Sequence, residues 1–372
     1  MPTTGHRLTR RYRRLLFSYP RDYRRERGEE IIGTLLELAP PGRTRPTVPE
    51  AANLIRHGMR ARLGRPDSRA VVVWAALTAT ICGLFTAAIA TRAAWETSRP
   101  QPGRAEATEI FDAVLPEHDL DDLTTPSALF VIYSQPLSLD NADSLLFGDG
   151  GEYGHSSTSA HAAGTPPIDP AQLMPLTQER LRAAGWHVYA PVVDEYTGCI
   201  DKYCDSLMQV TRTEVTASRG DTFVEIAFQW PPTDADAPYL SVSLYRGTPS
   251  AVPYAGVAGG LLGVLVGWLL FGWASRRTDG HHLMVRATAT TLYGVTMLLW
   301  WPPTLLAVLS VWQHHLGEPH PQWHPFWEWL GQPTASLLFL VGCVAVLLAL
   351  VLAALPRPGV RSAPTGKQLI HP

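Results

Sequence analysis

Four long apolar stretches without a charged residue divide the chain, and they cover residues 70–91, 251–274, 287–312 and 335–355. A helix needs about 20 residues of this kind to cross the hydrocarbon core of a bilayer. The pattern therefore predicts four membrane-spanning helices. Nothing before residue 70 resembles the apolar core of a signal peptide, so we expect the first span to remain as an anchor.

The first 69 residues predict a small helical head. Apolar residues recur there at helical spacing, and Pro20 and the Pro-Pro-Gly run at 40–42 separate three helices. Thr47 and Glu50 have the spacing of a capping box, so the third helix begins there and runs to about residue 63. The pattern gives that helix an inner face formed by Ala52, Ile55, Met59 and Leu63.

Residues 93–250 predict one α+β domain. Helical spacing covers residues 105–115 and 169–184, and strand-like runs cover residues 128–133, 186–193, 210–217, 222–230 and 240–245. Residues 135–167 are rich in Gly, Ser, Asp, Ala and Pro without apolar periodicity, so they predict a long loop or a partly disordered segment. We expect a helix packed on a mostly antiparallel sheet.

Two local patterns predict how the strands of this domain lie. The Arg-Gly-Asp triplet at 219–221 separates two strand-like runs, and its Gly and Asp suit a reversing turn. We therefore interpret it as a hairpin turn rather than as an adhesion signal. Leu240, Val242 and Leu244 alternate with more polar residues, which predicts a last strand that is buried on one side.

The charge of the chain is segregated, and this indicates an orientation. Only 17 % of the residues are charged, against ~25 % in soluble chains, and the net charge of −2 excludes a globally basic nucleic-acid binder. Residues 1–69 hold 16 basic and 7 acidic residues, whereas residues 92–250 hold 9 basic and 23 acidic ones. Since Lys and Arg are retained on the cytoplasmic side, we predict a multi-pass protein of the cell membrane with both termini in the cytoplasm.

The basic residues just before the first span have two interpretations. We predict that they contact anionic lipids of the inner leaflet, through Arg56, Arg60, Arg62, Arg65 and Arg69. The alternative is a docking surface for a cytoplasmic regulator. No base-reading motif accompanies these arginines, so we expect no direct binding of nucleic acid.

Cysteines and histidines supply two candidate sites on the extracytoplasmic side. Cys199 and Cys204 lie where disulfides persist, so we predict a bridge between them, with a free pair and a redox site as alternatives. The loop at 313–334 contains residue types that bind transition metals, at His314, His315, Glu318, His320 and His324. Their spacing matches no established zinc motif, and the tryptophans of the loop favour the other interpretation, an aromatic belt at the membrane interface.

Small residues follow one face of the second predicted span. Its glycines recur three or four residues apart, a spacing that lets helices approach closely, at Gly256, Gly260, Gly263 and Gly267. We predict packing against other spans of the same chain, with a homodimer contact as the alternative. No span contains Asp, Glu, Lys, Arg or His at depth, which argues against coupled ion transport.

Two segments of the head carry a resemblance to known proteins. Residues 19–37, YPRDYRRERGEEIIGTLLE, and residues 49–58, PEAANLIRHG, resemble the N-terminal helical prefix of uncharacterised membrane proteins from high-G+C bacteria. That prefix is similar to the helical signalling and permease-prefix domains that precede bacterial transmembrane regions. The resemblance covers roughly the first 65 residues. It implies a role in membrane regulation and carries over no catalytic residue.

Motifs for catalysis are missing from the sequence. The chain contains no Walker loop, nucleophile elbow, zinc-protease helix or serine–lysine acylation motif. We therefore predict that the protein is not an enzyme, and we expect no cofactor.

The sequence thus predicts an α-helical integral membrane protein with four spans, a small all-α cytoplasmic head and an α+β extracytoplasmic domain. The predicted segments are the head at 1–69, the first span at 70–92, the extracytoplasmic domain at 93–250, the second span at 251–274, a cytoplasmic loop at 275–286, the third span at 287–312, an extracytoplasmic loop at 313–334, the fourth span at 335–355 and a cytoplasmic tail at 356–372.

Two functions fit this plan. The first is transmembrane sensing or regulation, in which the outer domain binds a ligand and the head contacts a cytoplasmic regulator. The alternative is an accessory or structural subunit of a transporter or cell-envelope complex. The lipid bilayer is a partner in both cases.

Overall fold

The chain divides into two compact units. The computed structural model describes residues 4–64, 68–124, 131–132, 135–136, 157–199, 207–231, 238–317, 325–331 and 333–356. The first unit comprises residues 1–83, 261–300 and 339–372, and the second comprises residues 84–260 and 301–338. The helical head belongs to the first unit and the β-sheet to the second.

Three helices form the head, namely α1 (Thr4–Leu15), α2 (Arg21–Glu37) and α3 (Val48–Ala61), with a 3-10 turn (Leu16–Ser18) after α1. Thr47 and Glu50 form a capping box at the start of α3, as predicted. The buried apolar core of the head consists of Leu8, Tyr12, Leu16, Tyr19, Ile32 and Leu54.

The face that α3 turns inward differs from the predicted one. Ile55 is 44 % exposed, whereas its neighbour Leu54 and Gly58 are buried. Gly58 lies against the 3-10 turn, where a Cβ atom would come within 2.8 Å of the Ser18 Cβ. This close approach fixes the rotation of α3. The predicted inner face was therefore wrong for Ala52 and Ile55, which are exposed, and right for Leu63, which is buried just after α3. Apolar spacing does not reveal where a glycine lets two backbones meet.

The second unit contains an antiparallel sheet. After α4 (Arg69–Trp95), the chain forms α5 (Arg104–Val114), β1 (Asp121–Thr124), β2 (Val131–Ile132), β3 (Gln135–Pro136), β4 (Thr158–Ala163) and α6 (Pro170–Ala183). It continues with β5 (His187–Val188), β6 (Val192–Cys199), β7 (Leu207–Arg219), β8 (Thr222–Trp230) and β9 (Pro238–Arg246). Seven strands pair antiparallel in the order β1-β4-β9-β8-β7-β5, with β6 also on β7, and β2 pairs with β3.

Two helices cover one face of this sheet, and the other face is more polar. Leu240, Val242 and Leu244 of β9 are at most 1 % exposed, which confirms the predicted one-sided burial of the last strand. They pack in a single core with apolar residues of α5 and α6 such as Phe111 and Leu181. The predicted helices at 105–115 and 169–184 are thus confirmed as α5 and α6.

The hairpin predicted around the Arg-Gly-Asp triplet is also confirmed. β7 and β8 pair from Thr211 opposite Trp230 to Arg219 opposite Thr222. Gly220 closes the turn with a φ of 67°, a left-handed conformation that glycine adopts without a steric penalty.

The prediction of a long loop at 135–167 was wrong for residues 158–163, and residues 137–156 lie outside the described residues. Residues 158–163 form β4, which pairs with β9 from Thr158 opposite Leu244 to Ala163 opposite Pro238. Ala160 and Ala162 are buried in the core. Small side chains give a weak apolar pattern, so the pairing partner rather than the local sequence specifies this strand.

Among the residues that the structure describes, three helices are long and apolar enough to cross a membrane. They are α4, α7 (Ala251–Thr278) and the first 27 residues of α8 (Leu283–Gly317), namely Leu283–Leu309. The α8 helix continues through Pro302 and Pro303. A 3-10 turn (Phe326–Gly331) and α9 (Pro333–Ala354) follow. Within α9, the stretch Leu340–Ala354 is apolar but shorter than the three candidate spans.

Candidate functional site

The chain enters and leaves the sheet domain at one clamped point. Arg99, in the segment after α4, donates two hydrogen bonds to the Asp221 carboxylate at 2.7 and 2.6 Å. Arg246, the last residue of β9, donates to the Pro100 carbonyl at 3.0 Å and to the Thr222 hydroxyl. We name Arg99, Asp221 and Arg246 the outer joint. It ties both ends of the domain to the β7–β8 turn.

The charges of the outer joint depend on one another. Arg246 is only 6 % exposed, and its guanidinium lies 3.7 Å from the Asp221 carboxylate. Partial burial raises the pKa of Asp221, but the hydrogen bonds from Arg99 and the charges of Arg99 and Arg246 outweigh it, so the pKa lies below its ordinary value. A buried guanidinium is costly without a charged partner. Asp221 of the Arg-Gly-Asp triplet therefore has a structural role, because it pairs with two arginines of its own domain.

Short segments connect the outer joint to two packed helix ends. Ala94 and Trp95, at the end of α4, form a buried cluster with Val252, at the start of α7. Arg99 follows Trp95 by four residues, and Val252 follows Arg246 by six. The start of α7 is therefore closely tied to the sheet.

The predicted glycine stripe of α7 faces other parts of the chain, and its members are buried or half-buried at Gly256, Gly260, Gly263 and Gly267. In the second unit, a Cβ atom at the neighbouring Gly259 would come within 2.5 Å of the Ala90 Cβ. In the first unit, a Cβ atom at Gly267 would come within 2.9 Å of the Cys82 Cβ. These contacts with α4 lie within one chain, and a homodimer contact stays a prediction.

The last turns of α7 bind the head. Trp268 Nε1 donates to the Met59 carbonyl at 3.1 Å, and the Arg276 guanidinium donates to the Arg62 carbonyl. Gly272 permits the approach, because a Cβ atom there would lie 2.8 Å from the Arg62 carbonyl oxygen. We name Met59, Arg62, Trp268 and Arg276 the inner joint. The positive charge of Arg276 also suits the C-terminal end of α3, where the helix dipole is negative.

Arg62 extends the inner joint into the core of the head. Its Nε donates to the Ser18 carbonyl at 2.6 Å, and its Nη2 donates to the Phe17 carbonyl at 2.7 Å. These carbonyls belong to the 3-10 turn after α1. A chain of main-chain and guanidinium contacts thus runs from α7 through the end of α3 to the end of α1.

A second arginine of α7 caps another helix of the first unit. Arg277 donates to the carbonyls of Ala353 and Ala354 at 3.3 and 3.5 Å, at the end of α9. No motif in the sequence marks Arg276 or Arg277. Their place in the last turn of an apolar helix is the signal that could have indicated a capping role.

The arginines predicted to contact the inner leaflet have different surroundings. Arg56 is exposed and donates to Asn53 Oδ1 at 3.3 Å, Arg60 is half-buried, and Arg69 is exposed at the start of α4. Arg65 lies outside the described residues. Lipid contact by these four stays a prediction, whereas the guanidinium of Arg62 is occupied by carbonyls of the head.

The predicted disulfide and metal site fall largely outside the described residues. Cys199 ends β6, but its side chain and all of Cys204 are not described. Of the predicted metal ligands, His314 and His315 lie in α8 with side chains that are not described, and Glu318, His320 and His324 lie outside. In the part of the chain that the structure describes, no group of three or more His, Cys, Asp or Glu side chains could hold a metal ion. Both sites stay predictions.

An open groove of about 470 Å³ lies on the sheet face that α5 and α6 leave uncovered. Its lining is rich in hydroxyl groups and includes Asp122, Thr124, Ser159, His161, Ser241 and Ser243. The Thr124 and Ser159 hydroxyls lie 3.0 Å apart, and Asp122 lies 3.9 Å from His161. Asp122 has a φ of 53°, in the left-handed region that aspartate adopts more readily than most residues other than glycine.

A buried histidine lies between α5 and the sheet. His118 is 8 % exposed, and its Nδ1 lies 2.9 Å from the Tyr239 hydroxyl. Burial lowers the pKa of His118, although the charge of Glu117 opposes this. Glu117 in turn accepts two hydrogen bonds from Arg180 at 2.7 and 2.5 Å. The sequence analysis did not single out these residues.

Comparison of the chain with protein-family models, curated proteins and solved structures finds no match. The resemblance of the head to signalling and permease prefixes therefore stays a prediction. Any functional interpretation depends on the contacts described above.

Proposed function

We propose that this chain is a multi-pass membrane protein in which the extracytoplasmic sheet domain regulates the cytoplasmic head through α7. One observation carries the proposal: α7 is a single helix, and each of its ends is bound. Its start packs with Trp95 beside the outer joint, and its last turns form the inner joint. Rigid helices with defined contacts at both ends can carry a coupling free energy between distant sites.

Charge and helix ends support the proposed orientation. Of the 31 basic residues of the chain, 16 lie in residues 1–69, on the side proposed to be cytoplasmic. Arg276 and Arg277 link the end of α7 to the head and to the end of α9. Because α7 and α9 end next to each other, the helix between them in the chain, α8, has to cross the membrane in the opposite direction to both. We therefore propose that α9 is the fourth span and that both termini lie in the cytoplasm.

The groove supports a binding role for the outer domain. Its polar lining consists of hydroxyls, the Asp122 carboxylate and the His161 imidazole, without a Lys or Arg. Such a lining suits a polar ligand without a negative charge, because hydroxyls both donate and accept hydrogen bonds and Asp122 would repel an anion. Ligand binding there is proposed to shift the sheet relative to the helix ends that the outer joint clamps.

Asp221→Asn tests the coupling. The change removes the negative charge of the outer joint, leaves Arg99 and Arg246 without the carboxylate that they share, and changes no residue of the head. We expect amide hydrogen exchange in α3 to rise about fivefold in the full chain in lipid nanodiscs, within the range of ordinary allosteric coupling. The matched control is Glu117→Gln, which breaks a two-bond ion pair of the same type elsewhere in the same domain. Exchange in α3 should stay unchanged in this control.

Two results would refute the proposal. Equal exchange in α3 for wild type and Asp221→Asn would mean that the outer joint does not influence the head. Equal increases in both variants would mean that any loosening of the sheet domain has this effect, and that α7 carries no specific signal. The first result would favour the alternative of an accessory subunit, in which the two domains act separately.

A further inference from the structure

An exposed aromatic side chain lies next to the inner joint. Phe17 is 63 % exposed, although it belongs to the tight turn after α1. Its carbonyl accepts a hydrogen bond from Arg62, whose own carbonyl accepts one from Arg276 near the end of α7. Phe17 is therefore fixed by two successive contacts to a helix that is long and apolar enough to cross a membrane. An exposed phenylalanine in such a place suits the boundary between water and lipid.

The guanidinium of Arg24 lies over this ring. The guanidinium carbon of Arg24 is 4.5 Å from the centroid of the Phe17 ring. The Arg24 Nε is buried and has no partner among the residues that the structure describes. Burial lowers the pKa of Arg62, and the positive charge of Arg24 lowers it further, so the two guanidinium groups lie close enough to repel each other. An anion that accepts hydrogen bonds from Arg24 would relieve both costs.

We propose that Phe17 and Arg24 form a lipid site, in which the ring inserts at the membrane interface and the guanidinium binds the phosphate of an anionic phospholipid. The inference rests on the proposed membrane location of α7. Two further exposed arginines, Arg21 and Arg25, share the first turns of α2 with Arg24 and add attraction for a negative surface. Asp22 is the one acidic residue in the first turn of that helix.

The occupant is a lipid rather than a protein because of where the site lies. The exposed ring, the unpaired donor and the neighbouring positive charges all lie beside the end of α7, where the inner leaflet begins in the proposed topology. Anionic headgroups are the negative groups that are always present at that level. The proposed lipid contact therefore uses Arg24 instead of Arg62. Arg24 was not among the arginines near the first span that were predicted to contact lipid.

Lipid titration of the full chain tests the site. Native mass spectrometry in mild detergent would give the apparent affinity for phosphatidylglycerol of wild type, Arg24→Gln and Phe17→Ser. We expect Arg24→Gln to bind about fivefold more weakly, the loss that one charge at an anionic surface produces. Phe17→Ser should also bind more weakly, because the ring no longer inserts at the interface. Arg7→Gln is the control, because Arg7 is exposed near the start of α1 and its loss changes the total charge equally. It should change the affinity less than about twofold.

Each outcome decides something different. Equal weakening by Arg24→Gln and Arg7→Gln would overturn the site, because bulk charge would then explain the binding. Phe17→Ser alters an exposed side chain and so keeps the test valid if Arg24→Gln fails to fold; an unchanged affinity in this variant would also overturn the site. Displacement of the lipid by inorganic phosphate would assign the site to a free anion instead. Failure of the chain to enter the lipid nanodiscs of the hydrogen-exchange experiment would instead refute the proposed membrane location.

Discussion

Gly58→Ala should loosen the head, although alanine favours a helix. Gly58 lies inside α3, where the glycine costs about 1 kcal/mol relative to alanine. The added Cβ would, however, lie 2.8 Å from the Ser18 Cβ and 2.9 Å from the Ser18 carbonyl carbon, which is main chain and cannot rotate away. Overpacking of this kind costs about 1–3 kcal/mol, so the net effect is a loss of about 0–2 kcal/mol.

Gly33→Ala is the matched control. Gly33 lies inside α2, and a Cβ atom there would meet nothing within 4 Å. The variant should therefore gain about 1 kcal/mol from helix propensity alone. The two substitutions are chemically identical, so their difference isolates the contact between α3 and the 3-10 turn. We expect that difference to be about 1–3 kcal/mol.

Amide hydrogen exchange in the head of the full chain measures this difference. Opening free energies of α3 amides should fall in Gly58→Ala and those of α2 amides should rise in Gly33→Ala, each relative to wild type. If both variants raised the local stability equally, α3 would not lie tightly against Ser18. The account of why α3 buries Leu54 rather than Ile55 would then be refuted.

Three further predictions concern the sheet domain and the apolar helices. Ile226→Ala removes a fully buried core side chain and should lower the unfolding free energy of the domain by about 2–5 kcal/mol in thermal or denaturant unfolding, whereas Val193→Ala, at an exposed position, should change it by less than about 0.5 kcal/mol. His118 has a folded-state pKa below 6.5, so the unfolded chain binds the proton first, and domain stability should fall as the pH drops below 6.5; His118→Gln should remove this part of the pH dependence. Gly259→Ala should lower the thermal stability of the chain in detergent, and Gly294→Ala, where an added Cβ atom would meet nothing within 4 Å, should not.

Strand periodicity carried most of the correct prediction for the sheet. Leu240, Val242 and Leu244 recur at every second position, and only one face of an antiparallel strand can bury them. The turn at Gly220 was readable for a similar reason, because few residues adopt its backbone conformation. Both signals are local, so a single sequence contains them.

Strand β4 and the contacts of α3 could not be predicted from local signals of this kind. Ala160 and Ala162 are too small to mark a buried strand, and they are buried because β9 offers a partner on that side. Gly58 is an unfavourable residue for a helix interior by propensity alone. Its value becomes clear only when Ser18, forty residues earlier in the chain, lies against it.

Arginine shows most clearly what a charge count can and cannot establish. A count of Lys and Arg shows which segments of the chain are positively charged. It supports the proposed orientation without any knowledge of what the side chains contact. It cannot tell a guanidinium that faces solvent from one that satisfies carbonyls. Arg62 donates to the Phe17 and Ser18 carbonyls, so its charge is used within the head, whereas Arg24 lies over an exposed ring with an unfilled donor. Replacement of the Arg62 side chain should therefore loosen the contact between the end of α3 and the 3-10 turn after α1, whereas replacement of Arg24 should leave that contact intact while weakening lipid binding.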